Sequence, residues 1–506
     1  MDMNRKRVCL FLAALAAAAP LAADVRLPAL IGENMVLQSG VPVRIWGKAD
    51  AGERVTVKFQ SESVSTVADA SGKWAAYLSP MRPGGPFEMT ISGNNSLTLR
   101  NVLIGEVWVG SGQSNMAWLL SNANNAEQEI AQANYPRIRL FNVKRVVADA
   151  PLDDVEGAWQ ECTPDSAKAT SAVGYFFSRN LHLKLGVPVG FIHSSWGGTP
   201  AQSWTSRAAL EDEPALKFIL EDWQKTLENY PAAKEKYDQQ LAAWKEAAAK
   251  AKAEGRTPPQ APRPPAGPGH QNTPGGLYNA MIAPLTPYAI RGAIWYQGES
   301  NANERHAHPY RRLFRLMIED WRKAWGQGSF PFLFVQLANF KANPWWPVLR
   351  ESQVDALELR NTGMAVIIDI GESKDIHPRN KQDVGLRLSL AARAIAYGEK
   401  LVYSGPMYRQ MTTEGNRIRL WFDFVGAGLE ARGGGPLKGF VIAGPDGNFV
   451  PADARIEGET VVVSSPSVPK PVAVRYAWED DPVCNLFNKD GLPASPFRTD
   501  RGKAGQ

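Results

Sequence analysis

Val102-Leu103-Ile104-Gly105-Glu106-Val107-Trp108-Val109 runs directly into Gly110-Ser111-Gly112-Gln113-Ser114-Asn115-Met116. The first half is an apolar strand. The second half ends it with glycines and delivers a serine. In an open α/β sheet, functional groups gather just past the carboxyl ends of the strands. A serine there can present its hydroxyl while backbone N–H groups converge beside it. A dinucleotide-binding loop would need Gly at 115, which is Asn, and a strand at the start of its sheet. An α/β-hydrolase elbow would need Gly at 116, which is Met. On this stretch alone, a plain Gly/Ser turn stays open.

Working outward, apolar strands alternate with helical patterns. Strands are expected at 137–142, 187–192, 290–296, 332–337 and 364–369, and helices at 171–185, 308–325, 349–359 and 382–397. In the last helix, Val384, Leu388, Ala391 and Ile395 share a face at helical spacing. Such alternation predicts an α/β fold with a mainly parallel sheet covered on both faces. Residues 24–101 read instead as short alternating strands with turns at about ten-residue spacing, an N-terminal β-sandwich module. From 401 to 506 the β character returns. The α/β region is therefore 102–400, interrupted at 208–273 by an Ala/Lys/Glu-rich block of one or two helices and a proline-rich connector.

A chain of 506 residues exceeds one ordinary domain. Its 44% hydrophobic and 21% charged residues fit a globular protein rather than a disordered one. A mean hydropathy of −0.28 argues against membrane embedding. Residues 1–23 have the order of a signal peptide: basic Arg5-Lys6-Arg7, apolar Val8–Ala19, then small residues to Ala23. This predicts export, to the periplasm or the medium. Removing the leader leaves 53 basic and 50 acidic residues, a charge of +3 that gives no electrostatic case for nucleic acid. Cys162 and Cys484 remain, either paired or as two buried thiols.

A nucleophilic serine needs a base, usually histidine. Six histidines are available: His182, His193, His270, His306, His308 and His377. His193 ends an expected strand and has no acidic neighbour in sequence. His377 follows an expected strand in Asp375-Ile376-His377-Pro378, with Asp369 and Glu372 nearby. A catalytic imidazole needs such a carboxylate to set its tautomer, so His377 is preferred. Two further strand-end loops could supply oxyanion donors. They are Ser194-Ser195-Trp196-Gly197-Gly198-Thr199 and Trp295-Tyr296-Gln297-Gly298-Glu299-Ser300-Asn301.

Taken together, Gly112-Gln-Ser114-Asn-Met, Trp196-Gly-Gly-Thr-Pro, Trp295-Tyr-Gln-Gly-Glu-Ser-Asn and Asp375-Ile-His-Pro-Arg-Asn-Lys-Gln resemble the sialate O-acetylesterase family, a branch of the SGNH hydrolases. Further segments, such as Gly491-Leu-Pro-Ala-Ser-Pro-Phe-Arg-Thr-Asp, extend the resemblance over most of residues 24–500. It implies an SGNH-type α/β/α sandwich that removes acetyl groups from sugar hydroxyls without metal or organic cofactor. Ser114 would match the nucleophile, His377 the base and Asp375 the orienting carboxylate. Many SGNH hydrolases place Asp three residues before His, where this chain has Lys374, so Glu299 is an alternative orienter. The Ser114 and Gly198 N–H groups would match oxyanion donors, with Gln297 or Asn301 as the third. Trp118, Trp196, Trp295, Trp345 and Trp346 flank the loops and offer faces to an O-acetylated carbohydrate. Two rival functions are a non-catalytic glycan-binding protein and a lipase or thioesterase on the same fold.

Overall fold

The computed structural model describes residues 24–500, so the expected leader lies outside the described residues. The opening stretch is the end of one long strand, β1 (Ser96–Gly112), buried from Val102 to its end. With it run β2 (Tyr135–Asn142), β3 (Trp159–Cys162), β4 (Val189–Ser195), β5 (Gly292–Tyr296), β6 (Phe332–Val335) and β7 (Thr362–Ala365). The order across the sheet is β7-β6-β5-β1-β4-β2-β3. Neighbours are parallel except β2 with β3. The last strand stops short of the expected 369, because the Arg387 guanidinium takes Val366 O and Asp369 and draws the chain out of the ladder.

The helices that matter are α1 (Ala172–Leu185), α2 (Lys217–Ala253), α3 (Tyr310–Trp325), α4 (Trp346–Asp355) and α5 (Lys381–Ile395). Alternation along β5 sorts them into layers. Ala293 and Trp295 join one core with Phe314, Met317 and Trp321 of α3. Ile294 and Tyr296 join a second with Phe176 of α1 and Leu388 of α5. Both faces of the sheet are therefore dry, which is why its strands read as continuous apolar runs. The fold is an α/β/α sandwich, as expected.

The first half of β1 belongs to the N-terminal β layer. It pairs with Gly84–Ser92, and β1 also carries Val36–Gln38 along its side. The expected boundary at 101/102 falls inside this one strand. The C-terminal region holds two four-stranded sheets around a third core that includes Leu420, Ile442, Val463 and Val474. In the inserted block a short helix, Arg207–Asp212, precedes one of 37 residues, α2, with Pro231 inside it. Strong helix formers between Lys217 and Ala253 favour one continuous element. Cys162 and Cys484 are both free.

Candidate active site

The sheet order places Ser114 between two other strand-end loops. Strands β2–β4 lie on one side of β1 and β5–β7 on the other, so Ser114 follows the strand where the winding changes side. At Gly112, φ is +136° and a Cβ would lie 2.1 Å from Tyr296 O of β5. Glycine alone allows the two strands to pinch so closely. Gln113 then accepts the Ser300 N–H on Oε1 at 3.1 Å, tying the turn to the loop after β5.

His377, on the loop after β7, places Nε2 2.9 Å from Ser114 Oγ. Asp375 Oδ1 accepts the His377 backbone N–H at 2.9 Å and lies 3.6 Å from Nδ1, an ion-pair distance. Burial lowers the imidazole pKa and the Asp375 charge opposes that shift, leaving it below the usual histidine value. At neutral pH the ring is thus uncharged. With Nδ1–H toward Asp375, Nε2 is the acceptor for the serine hydroxyl. Trp118 stacks on the imidazole, with centroids 5.0 Å apart and planes 15° from parallel.

Beneath this pair lies a buried polar network that sequence reading missed. Asn115 Nδ2 donates to Glu299 Oε1 at 2.6 Å and to Ile376 O at 2.9 Å. Lys381 Nζ donates to Asn115 Oδ1 at 2.6 Å and to Pro378 O at 2.5 Å. The carbonyls on both sides of His377 are therefore held. Burial raises the Glu299 pKa and pulls that of Lys381 down to about 7. Glu299 spends Oε1 on Asn115 rather than on the imidazole, which corrects its reading as an alternative orienter. Asn115 and Lys381 both stand inside the motifs around Ser114 and His377. The available signal was a lysine opening a helix whose inward face is otherwise apolar.

Of the oxyanion candidates, Gly198 is exposed in a left-handed turn (φ +74°). A Cβ on neighbouring Gly197 would stand 3.3 Å from Ser114 Cβ. Gln297 and Asn301 are a correction. Both are fully buried. Gln297 Nε2 donates to Asn301 Oδ1 and Thr199 O, and its Oε1 accepts from the Tyr310 hydroxyl. Asn301 Oδ1 also accepts from Ala201 N–H, and its Nδ2 donates to Gln202 Oε1. These amides brace one loop against the other and present no donor to Ser114.

The tryptophans divide in the same way. Trp118 and Trp196 are half-buried beside Ser114 and Gly197. Trp295 is wholly buried among Trp204, Trp321 and Phe314, and Trp346 is buried with its indole N–H on Ala338 O. Neither offers a face to a ligand. Trp345 is half-buried, edge-on to His308.

His193 makes a second serine–histidine contact, with Nε2 2.6 Å from Ser195 Oγ and Nδ1 3.0 Å from Asn142 Oδ1. Both side chains are buried, and burial pulls the His193 pKa down to about 3. This pair braces the end of β4 and has no open face for an ester. Among the described residues, no cluster of metal-ligating side chains occurs and no helix is long and apolar enough to cross a membrane.

Residues 269–396 match the family described as carbohydrate esterase, sialic acid-specific acetylesterase. The chain is 31% identical to mouse sialate O-acetylesterase, covering 93% of this chain and 94% of that protein. It is 33% identical to the human sialate O-acetylesterase over 76% and 73% of the two chains. A carbohydrate acetylesterase from Xanthomonas citri superposes with a TM-score of 0.81 at 40% identity, covering 94% of this chain and all of the other. A serine–histidine pair at the winding switch of an α/β/α sandwich, together with these relatives, makes the chain a carboxylic ester hydrolase that belongs to the sialate O-acetylesterase family.

Proposed function

We propose that Ser114, His377 and Asp375 carry the deacetylation of O-acetylated sugars through an acetyl-enzyme. The observation behind this reading is the 2.9 Å contact between His377 Nε2 and Ser114 Oγ, with Asp375 facing Nδ1. His377 takes the serine proton as Oγ attacks the acetyl carbonyl. Backbone N–H groups of Ser114 and Gly198 hold the tetrahedral oxyanion. The imidazolium, favoured by Asp375, then protonates the departing sugar oxygen. Water, deprotonated by His377, attacks the acetyl-enzyme, and the imidazolium returns its proton to Ser114 Oγ as the acyl–oxygen bond breaks and acetate leaves. Trp118 and Trp196 give the sugar apolar faces at the mouth.

The test is acetate release from a small aryl acetate and from acetylated glycans. Ser114→Ala is expected to lose about 10⁴-fold or more of kcat while keeping its fold. Normal turnover in a correctly folded Ser114→Ala protein would refute the reading.

A further inference from the structure

A concavity lies between the loops that follow β4 and β5. Strands β4 and β5 flank β1, so their loops flank the Ser114 loop as well. Where those loops diverge, α2 and the proline-rich segment close the gap into a cavity of about 270 Å³. That is near the lower end of small-ligand pockets, roughly 300 Å³. Gln202 comes from the loop after β4, Asn303 and His306 from the loop after β5, Trp223 from α2 and Asn272 from the proline-rich segment. The cavity is joined to the catalytic loops at two points. Gln271, next to Asn272, donates to Gly197 O at 3.0 Å. Ser300, also in the lining, donates its N–H to Gln113, one residue before Ser114.

The lining suits hydroxyl groups rather than charges. Asp222, its acidic member, is held by Arg305 through two bonds of 2.9 Å. His306 gives Nδ1–H to Asn303 Oδ1 at 2.9 Å, and burial lowers its pKa. The ring is therefore neutral, with Nε2 an acceptor. Asn272 Oδ1 is buried and receives no hydrogen bond from the chain. Trp223 is half-buried on the wall. An aromatic face beside amide and imidazole groups matches a pyranose, whose C–H face is apolar and whose hydroxyls donate and accept.

We propose that this cavity is a subsite for a neutral sugar unit linked to the acetylated one, so that the enzyme acts on oligomeric or polymeric neutral glycans. The proposal rests on the esterase reading above. In it, α2 and the proline-rich segment form the cavity wall that the sheet and its loops lack.

The test compares Trp223→Ala with wild type on a small aryl acetate and on a short acetylated neutral oligosaccharide. KM for the oligosaccharide should rise about tenfold or more, while kcat/KM for the aryl acetate stays within about twofold. Equal changes on both substrates, or none on either, would overturn the subsite. Thr226→Phe, which fills the cavity from α2, should reproduce the split and covers the case in which Trp223→Ala does not fold. Wild-type activity on the aryl acetate with none on the oligosaccharide sinks the subsite and leaves the esterase standing. Absence of Ser114-dependent acetate release from either sinks the esterase reading itself.

Discussion

In the proposed mechanism the residue that sets the pH behaviour is His377. There it must be neutral to take the Ser114 proton, and its pKa lies below the usual imidazole value because burial outweighs the attraction of Asp375. The acidic limb of kcat/KM is therefore expected below the ordinary histidine range. Asp375 is a cause that raises this pKa, so its removal moves the limb further toward acid. Asp375→Asn should also lower kcat, by about 10² to 10⁴-fold, because the imidazolium loses its partner and the tautomer its guide. A pH–rate profile of wild type and variant checks both parts. A limb that moves to higher pH would contradict the assignment.

At the scale of an element, the N-terminus of α5 is built against its own preference. A cation in the first turn of a helix opposes the dipole, yet Lys381 opens α5 and is fully buried. Its two bonds, to Asn115 Oδ1 and Pro378 O, fix the loop that carries His377. Lys381→Met should lower kcat by about 10²-fold with KM little changed, because the imidazole loses its aim by a fraction of an ångström to an ångström. A linked effect appears in stability. The folded pKa, near 7, lies below that of the unfolded chain. The burial cost is thus complete below pH 7 and fades as pH rises from 7 toward 10. Melting temperatures across that window should rise less steeply, from this group, in Lys381→Met than in wild type.

At the scale of the whole molecule, one guanidinium ties the α/β/α layers to the C-terminal region. Arg350 of α4 is fully buried. It donates to Leu337 O at 2.8 Å and Ala338 O at 2.5 Å, just after β6. It also donates to Glu479 O at 2.7 Å and Asp480 O at 2.9 Å beyond residue 401. Removing a buried donor leaves its acceptors unsatisfied, at about 1–3 kcal/mol each. Arg350→Met is expected to cost at least about 3 kcal/mol in denaturant unfolding. A loss below about 1 kcal/mol would show that the junction is held elsewhere.

The alternation of strands and helices, the serine after β1 and a histidine with a nearby carboxylate after β7 were legible in sequence because each depends on local signals. Apolar periodicity, glycine punctuation and a carboxylate two residues away all act over short stretches of chain. The long helix α2 was legible as helical, yet its count of segments was not, because Pro231 lies inside it and an interior proline usually kinks or breaks a helix. The rest depended on partners far apart in the chain. Ser114 and His377 are 263 residues apart, and only the sheet order brings them to 2.9 Å. Whether Glu299 faces the imidazole or Asn115, whether Gln297 and Asn301 donate to an oxyanion or to each other, and whether Trp295 and Trp346 line a cleft or a core are questions of side-chain direction. Sequence determined which residue types stand at the strand ends. Packing alone decided where their side chains point, because each direction is set by whichever distant group leaves a donor unpaired or a surface dry.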